Sequence, residues 1–324
     1  MHLTDLPRID GVTWRMFRDD DYDDIARLLT EDLEVGGHGS LVTVADIRTE
    51  YQSLEGLDEA SDVLIAETSD GVIGHVTAAT WKELNGPQIL FHAGRVSPAW
   101  KRRGLGSAML GWVHRRLVEM TAASDGDTLV RTTGVSSSTT EFMTKNGYAV
   151  TQHEANLVRP NLDDIPDAPL PRGMVVRPVA ESDLRAIYEA EVEHFKDHWG
   201  ASEESSKWWD TFRSDPHLDP SLWQIGYDGD QVIGIVRPHI REEENIRMGR
   251  KRGYTEDIST NRDWRCRGVA TALIARALAA QRDRGMTESA LSVHVENPHG
   301  AYRLYEGLGF KLHSRMDTLD LAKS

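Results

Sequence analysis

The sequence predicts a mixed α/β fold, an α+β arrangement around a mixed sheet, and it predicts that fold twice. Three observations carry this. The chain has 324 residues, more than the ~250–300 that a single hydrophobic core serves. Landmarks recur in one order about 160 residues apart, Gly74 returning as Gly234, Gly104 as Gly268 and Gly147 as Gly309. Within each copy, short β-rich runs alternate with helical stripes, the order expected of one sheet covered by helices.

Taken in order, each copy opens on a short strand and a helix: Trp14 to Arg18 before Asp19 to Leu29, and Val175 to Pro178 before Ala180 to Ala190. Val63 to Ala66 and Val72 to Val76 read as a hairpin turned at Ser69-Asp70-Gly71, and Asp228-Gly229-Asp230 precedes the matching strand Gln231 to Val236. A strand ending near Ile258 leads into a polar turn and a basic glycine loop, Arg265 to Ala270, whose counterpart is Lys101 to Gly106. Helices follow over 104–119 and 268–284. The first carries Leu105, Met109, Val113 and Leu117 at a spacing of four, and the alanines of the second suit close packing on a sheet. Lys145-Asn146-Gly147-Tyr148 and Gly307-Leu308-Gly309-Phe310 end the last helix of each copy. The expected domains are 1–160 and 174–324. Between them lies a stiff, solvated linker, 161–173, in a stretch from Arg159 to Gly173 that holds four prolines.

Composition narrows the function. Against 37 Lys and Arg stand 52 Asp and Glu, a net charge of −15, which argues against a nucleic-acid binder that works by displacing counterions. The single cysteine, Cys266, permits no internal disulfide and no cysteine-rich zinc site. No apolar run is long enough for a membrane span, and the opening MHLTDLPRID lacks the apolar core of a secretion signal. The expectation is a cytoplasmic monomer or homodimer that touches neither membrane nor nucleic acid.

The two loops point to an anion. At a helix start, successive backbone N–H groups have no helical acceptor and the dipole adds positive potential. Gly268 and Ala270 are small enough to let a pyrophosphate approach the backbone, while Arg265 and Arg267 add charge. Lys101, Arg102, Arg103, Gly104, Leu105, Gly106 and Ser107 repeat the pattern. Neither loop has the Gly-Lys-Ser/Thr ending of a P-loop, and Met109 stands where a dinucleotide fingerprint needs its third glycine.

These residues resemble the GCN5-related N-acetyltransferase (GNAT) family. Arg265-Cys266-Arg267-Gly268-Val269-Ala270 looks like its acetyl-CoA pyrophosphate loop, and Lys101 to Gly106 looks like a second copy. The run from Asn297 through Ala301, Leu304-Tyr305 and Gly309-Phe310 is similar to the family's later signature. The resemblance implies a tandem pair of acyl-CoA N-acyltransferase domains with acetyl-CoA as co-substrate and no metal. It implies that the fourth and fifth strands part at a bulge and that the fourth strand gives a backbone N–H to the thioester carbonyl. The cofactor would then be held by Ile258, Ser259, Arg265, Cys266, Arg267, Gly268, Val269, Ala270, Thr271 and Asn297, and in the first half by Val96 and Lys101 to Ser107.

Acetyl transfer to an amine requires a base for the ammonium, a donor for the developing oxyanion and a proton for the departing thiolate. Tyr305 matches the family's leaving-group acid. Its counterpart in the first half is Met143, and Asn297 falls on Val135, so the second half is expected to catalyse. For the base, which the resemblance implies lies on the fourth strand before the loop, strand alternation puts Tyr254, Glu256 and Ile258 on one face and Asp257 on the other. Glu256 is the first choice and Asp257 the second, with His92 as the first-half equivalent of Glu256. Cys266 as a nucleophile and His194 with His198 as metal ligands are set aside, because a loop cysteine is usually incidental and no third ligand is evident. Glu189, Glu191, Glu193, Asp197 and the run Arg241 to Asn245, with Trp199, Trp208 and Trp209, suggest a cleft for a small cationic primary amine. A layout similar to mycothiol synthase, acting on a cysteinyl amino-sugar, and a non-catalytic CoA-binding protein are the alternatives.

Overall fold

A computed structural model describes residues 3–54, 56–121, 126–296 and 300–322. The elements run β1 (Thr13–Met16), α1 (Tyr22–Val35), α2 (Val44–Ser53), α3 (Glu59–Asp62), β2 (Val63–Thr68), β3 (Gly71–Lys82), β4 (Gln88–Val96), α4 (Leu105–Thr121), β5 (Thr128–Gly134), α5 (Ser137–Lys145) and β6 (Tyr148–Arg159). The series then repeats as β7 (Val175–Val176), α6 (Leu184–Phe195), α7 (Trp208–Ser214), β8 (Gln224–Asp228), β9 (Gln231–Ile240), α8 (Glu242–Met248), β10 (Arg252–Thr260), α9 (Val269–Asp283), β11 (Glu288–His294), α10 (Ala301–Gly307) and β12 (Lys311–Leu321).

Two compact units result, but they are not consecutive stretches of chain. The first comprises Met1–His153, Ser202–Thr211 and Met316–Ser324, and the second Glu154–Ala201 and Phe212–Arg315. The difference from a simple cut near residue 160 comes from strand pairing. In the first unit β5 pairs antiparallel with residues 317–320 of β12, at the far end of the chain. In the second, β11 pairs antiparallel with residues 154–159 of β6. Each unit thus pairs one of its strands with a strand contributed from the other half of the sequence. The stretch expected to be a solvated linker is also packed rather than free. Leu162 is buried in the second unit's core, with Ile165 and Leu170 against it, and Asp164 accepts from Arg159 at 2.7 Å. Prolines keep it irregular, but its apolar residues are used.

In each unit β2–β3–β4, or β8–β9–β10, forms an antiparallel meander. The strand after the long helix adds in parallel, β5 on β4 and β11 on β10. Helices α4 and α9 cross over between those parallel strands. The expected stripe is the buried one in α4, where Leu105, Met109, Val113 and Leu117 are all buried. On α9 the buried face is Val269, Ala272, Leu273, Ile274, Ala277, Leu278 and Gln281. Gly234 on β9 makes that packing possible, since a Cβ there would strike the side chains of Val269 and Leu273. Leu273 is fully buried in this cluster. Leu273→Ala should therefore cost about 2–5 kcal/mol, read as a lowered midpoint in urea unfolding.

Candidate active site

Where the strand β10 gives way to the helix α9, the backbone is bent into a cradle. Asn261 caps a short turn by accepting from Asp263 N at 3.0 Å. Cys266 and Gly268 then adopt left-handed conformations, φ 58° and 84°. The first helical bond of α9 runs from Ala272 N to Gly268 O at 3.0 Å, and no side chain caps the helix. The N–H groups of residues 269–271 therefore have no helical acceptor. No atom lies within 4 Å of where a Cβ on Gly268 would sit. In the first unit the same two places are left-handed, Arg102 at φ 65° and Gly104 at φ 91°, and Ala108 N bonds Gly104 O at 3.0 Å. A left-handed arginine and a left-handed cysteine at matching positions mark a backbone shape kept at a cost of about 1–3 kcal/mol each. Alternating handedness turns successive N–H groups toward one point, where an anion fits.

The side chains of the loops are deployed differently from the expectation. Arg265 lies 2.9 Å from Asp197 and donates to Thr260 O at 3.3 Å. Arg267 stacks on Trp264 at 5.1 Å. Lys101 sits 3.6 Å from Asp32, and Arg103 lies over Trp100 at 4.6 Å. These side chains are thus engaged within the protein, while the N–H groups at the helix start have no helical acceptor. Val269 is buried, and Ala270 and Thr271 are half-buried at the helix mouth. Ser259 accepts or donates at 3.0 Å to His194 Nδ1, and burial lowers that histidine's pKa to about 4. Cys266 is exposed. Asn297 lies outside the described residues.

In the first unit these loop residues line a cavity of about 430 Å³. The β4–β5 pairing ends at His92 opposite Thr132, and beyond that point the cavity opens between the two strands. Gly94, Arg95 and Val96 line it from one strand and Thr132 and Thr133 from the other, together with Lys101, Arg102, Gly104, Gly106 and Ser107. Met143 lines it too.

In the second unit the strands part earlier. The β10–β11 pairing ends at Tyr254 opposite Ala290. The β9–β10 ladder then loses register between Glu256, opposite Arg237, and Ser259, opposite Ile235. Residues 257 and 258 thus face the single residue Val236, a bulge with Asp257 left-handed at φ 50°. The bulge overturns two expectations. Asp257 does not point away from Glu256's face: its carboxylate lies 2.8 Å from Arg237, the cross-strand neighbour of Glu256. Ile258 instead packs into the α9 core. Nor is His92 the counterpart of Glu256. Thr77 opposite Ala93 in β3–β4 corresponds to Arg237 opposite Glu256, so Ala93 takes that place. His92, on the α4 side, bonds the Tyr148 hydroxyl at 2.7 Å.

Glu256 is half-buried. Desolvation, and then the neighbouring Asp257, push its carboxyl up to about 7. Tyr305 is buried in the cluster that holds Val269 and packs Ile258. Burial raises its phenol to about 12, so it carries its proton throughout the neutral range. A carboxylate that titrates near neutrality and a phenol that does not are suited to take and to give a proton respectively.

Several acids expected to draw in a cation are already engaged. Glu193 pairs with Lys196, Glu189 with Arg185, Asp197 with Arg262 and Arg265, Glu191 with Arg237 and Glu244 with Arg250 and Tyr254. Sequence reasoning missed three residues around Glu256. Arg237 was legible only as a charge inside an apolar strand. Glu154 reaches the second unit through the exchanged strand and helps raise Glu256's pKa. Gln281, fully buried on α9, donates to Tyr254 O at 2.7 Å, holding β10 where its pairing with β11 ends.

The profile of the Acetyltransferase (GNAT) family matches residues 184–310. N-alpha-acetyltransferase 30 of Schizosaccharomyces pombe is 31% identical over 115 residues, 36% of this chain and 73% of that protein. Among solved structures, a GCN5-related N-acetyltransferase from Sphaerobacter thermophilus superposes with a TM-score of 0.72 at 23% identity, covering 97% of this chain and 96% of the other. A tandem GNAT protein from the clavulanic acid biosynthesis pathway matches 97% of this chain and 99% of its own at TM-score 0.67 and 13% identity. Among the described residues no helix is long and apolar enough to cross a membrane. Fold, loop signature and sequence relatives agree: the chain belongs to the GNAT acetyltransferase family and is an acetyl-CoA-dependent N-acetyltransferase.

Proposed function

We propose that the second unit catalyses acetyl transfer to a primary amine of a small cationic acceptor, by direct attack with both substrates bound. The observation that carries this is the bulge at Asp257, which sets a neutral-range carboxylate, Glu256, beside strands that have come apart. In this reading the N–H groups of residues 268–271, with Ser259, Arg267 and Thr271 nearby, hold the cofactor's diphosphate. Acetyl-CoA supplies an activated acyl carbon and a good leaving group. Glu256 takes the ammonium proton, directly or through a water, and Tyr305 gives a proton to the departing sulfur. Support for a cationic acceptor shifts from the paired acids of α6 to Glu256 and Glu154, whose mutual repulsion an ammonium relieves.

The first unit has Ala93 in place of the base and Met143 in place of the acid, and neither side chain can move a proton. Its cavity and left-handed loop are suited to bind acetyl-CoA without turning it over.

The test is the pH profile of thiol release from acetyl-CoA with a panel of primary amines, cationic and neutral. The base must be ionised, so kcat/KM should rise as pH climbs through about 7 and level off above. Glu256→Gln should remove that limb and lower the plateau by roughly 10²-fold. The same substitution should raise thermal stability at pH 8. A carboxyl whose folded pKa is raised favours folding at low pH, and that contribution is lost as pH climbs through the folded value. A limb that survives in Glu256→Gln excludes Glu256 as the base.

A further inference from the structure

The bulge in β10 has a lock, and the repeat supplies a control for it. Asp257 holds a left-handed conformation that residues with a Cβ seldom adopt. Its carboxylate is 2.8 Å from Arg237 Nη2. Arg237 is fixed in turn: its Nε is 2.8 Å from Glu191, and its guanidinium lies 4.8 Å from the Phe212 ring and 5.1 Å from the Trp223 ring. Only 11% of the side chain is exposed. A rigid planar cation held by one acid and two rings therefore presents a fixed anchor to the apex of the bulge. In the first unit Thr77 occupies the place of Arg237 and bonds Tyr51 at 2.7 Å. There β4 keeps its register against β3 from Gln88 to Val96. One fold thus has the bulge where the Arg–Asp pair stands and lacks it where the pair is missing.

Resting on the catalytic assignment of the second unit, we infer that Arg237 is a positioning residue. Through Asp257 it holds the β10 bulge in its left-handed form, and so aims the backbone N–H groups at 257–258 toward the thioester carbonyl. The competing cause lies one residue away. Pro238, opposite Thr255, has no N–H to give the ladder and could break the register by itself.

A readout independent of the acceptor separates the two. The thioester carbonyl distinguishes acetyl-CoA from CoA, so calorimetric dissociation constants for these two ligands report the bulge donors. The measurement uses the full chain carrying Gly104→Glu, so that the heat comes from the second unit. Arg237→Gln, combined with Glu191→Gln to avoid a stranded acid, should lower the preference for acetyl-CoA about ten-fold, the worth of one good hydrogen bond. CoA affinity should stay within two-fold. Adding Asp257→Gly should restore the preference, because glycine takes the left-handed form without an anchor. A mere packing role for Arg237 predicts no such rescue. Arg237→Lys, which keeps the charge but not the planar fork that spans Glu191 and Asp257, should lower the preference less than Arg237→Gln does. The inference is overturned if the preference survives Arg237→Gln, if Asp257→Gly fails to restore it, or if Pro238→Ala alone abolishes it with Arg237 intact. A parent chain that binds neither ligand overturns the catalytic assignment itself, and the positioning role with it.

Discussion

Tyr305→Phe is expected to lower turnover by about 10²–10⁴-fold, the range typical of a positioned proton donor, while acetyl-CoA affinity changes little. The ring sits in the packed core of the second unit, its centroid 6.2 Å from that of Phe310, so phenylalanine keeps the shape and removes only the hydroxyl. Among the described residues no hydrogen bond to that hydroxyl is found, so its removal strands no partner among them. Stability should therefore be nearly unchanged, and a loss of rate can be assigned to chemistry. Since burial holds the phenol at about 12, wild-type activity should show no falling limb from Tyr305 below about pH 11. Steady-state thiol release across pH checks both points. Wild-type turnover in Tyr305→Phe would remove the acid from this mechanism.

Gly268→Glu should abolish cofactor binding in the second unit and reduce turnover to background. Two effects act together. Gly268 has φ 84°, a conformation that glutamate adopts only with strain. A carboxylate at the mouth of α9 would also occupy the N–H groups intended for phosphate, with the helix dipole favouring it there. Calorimetry with acetyl-CoA should show the second unit's binding event disappear, and turnover should disappear with it. Gly104→Glu, which does the same to the first unit's loop, should remove the other event and leave the second unit's chemistry running. If Gly268→Glu still turns over normally, the catalytic cofactor site lies elsewhere.

How much of this was legible beforehand depends on the range of the interaction concerned. Local signals read well. The hairpin turns, the helices α4 and α9 with their buried stripes, and the two glycine loops all follow from φ preference, apolar spacing and small residues within a few positions of one another. Glu256 and Tyr305 could be proposed because the family resemblance puts a base on the fourth strand and a leaving-group acid in the later signature. The two glycine loops were legible as helix entries, but not how their side chains are engaged. That Arg265 would face Asp197 and not solvent depends on α6, some seventy residues away in sequence.

The sequence by itself determined a doubled α/β chain, the family, the cofactor and which half keeps a tyrosine, Tyr305, where the other has Met143. Only the tertiary structure decided three things: that each unit takes a strand from the other half of the sequence, that the linker's apolar residues are buried, and that β10 bulges at Asp257. The physical reason is common to all three. Strict alternation assumes an unbroken ladder, whereas a bulge adds one residue to one strand and turns every later side chain to the opposite face. That is why Ile258 went to the core and Ala93, not His92, proved to stand in the place of Glu256. Whether a ladder breaks depends on what lies across it, here Arg237 and the groups that hold it, and no window of local sequence contains that information.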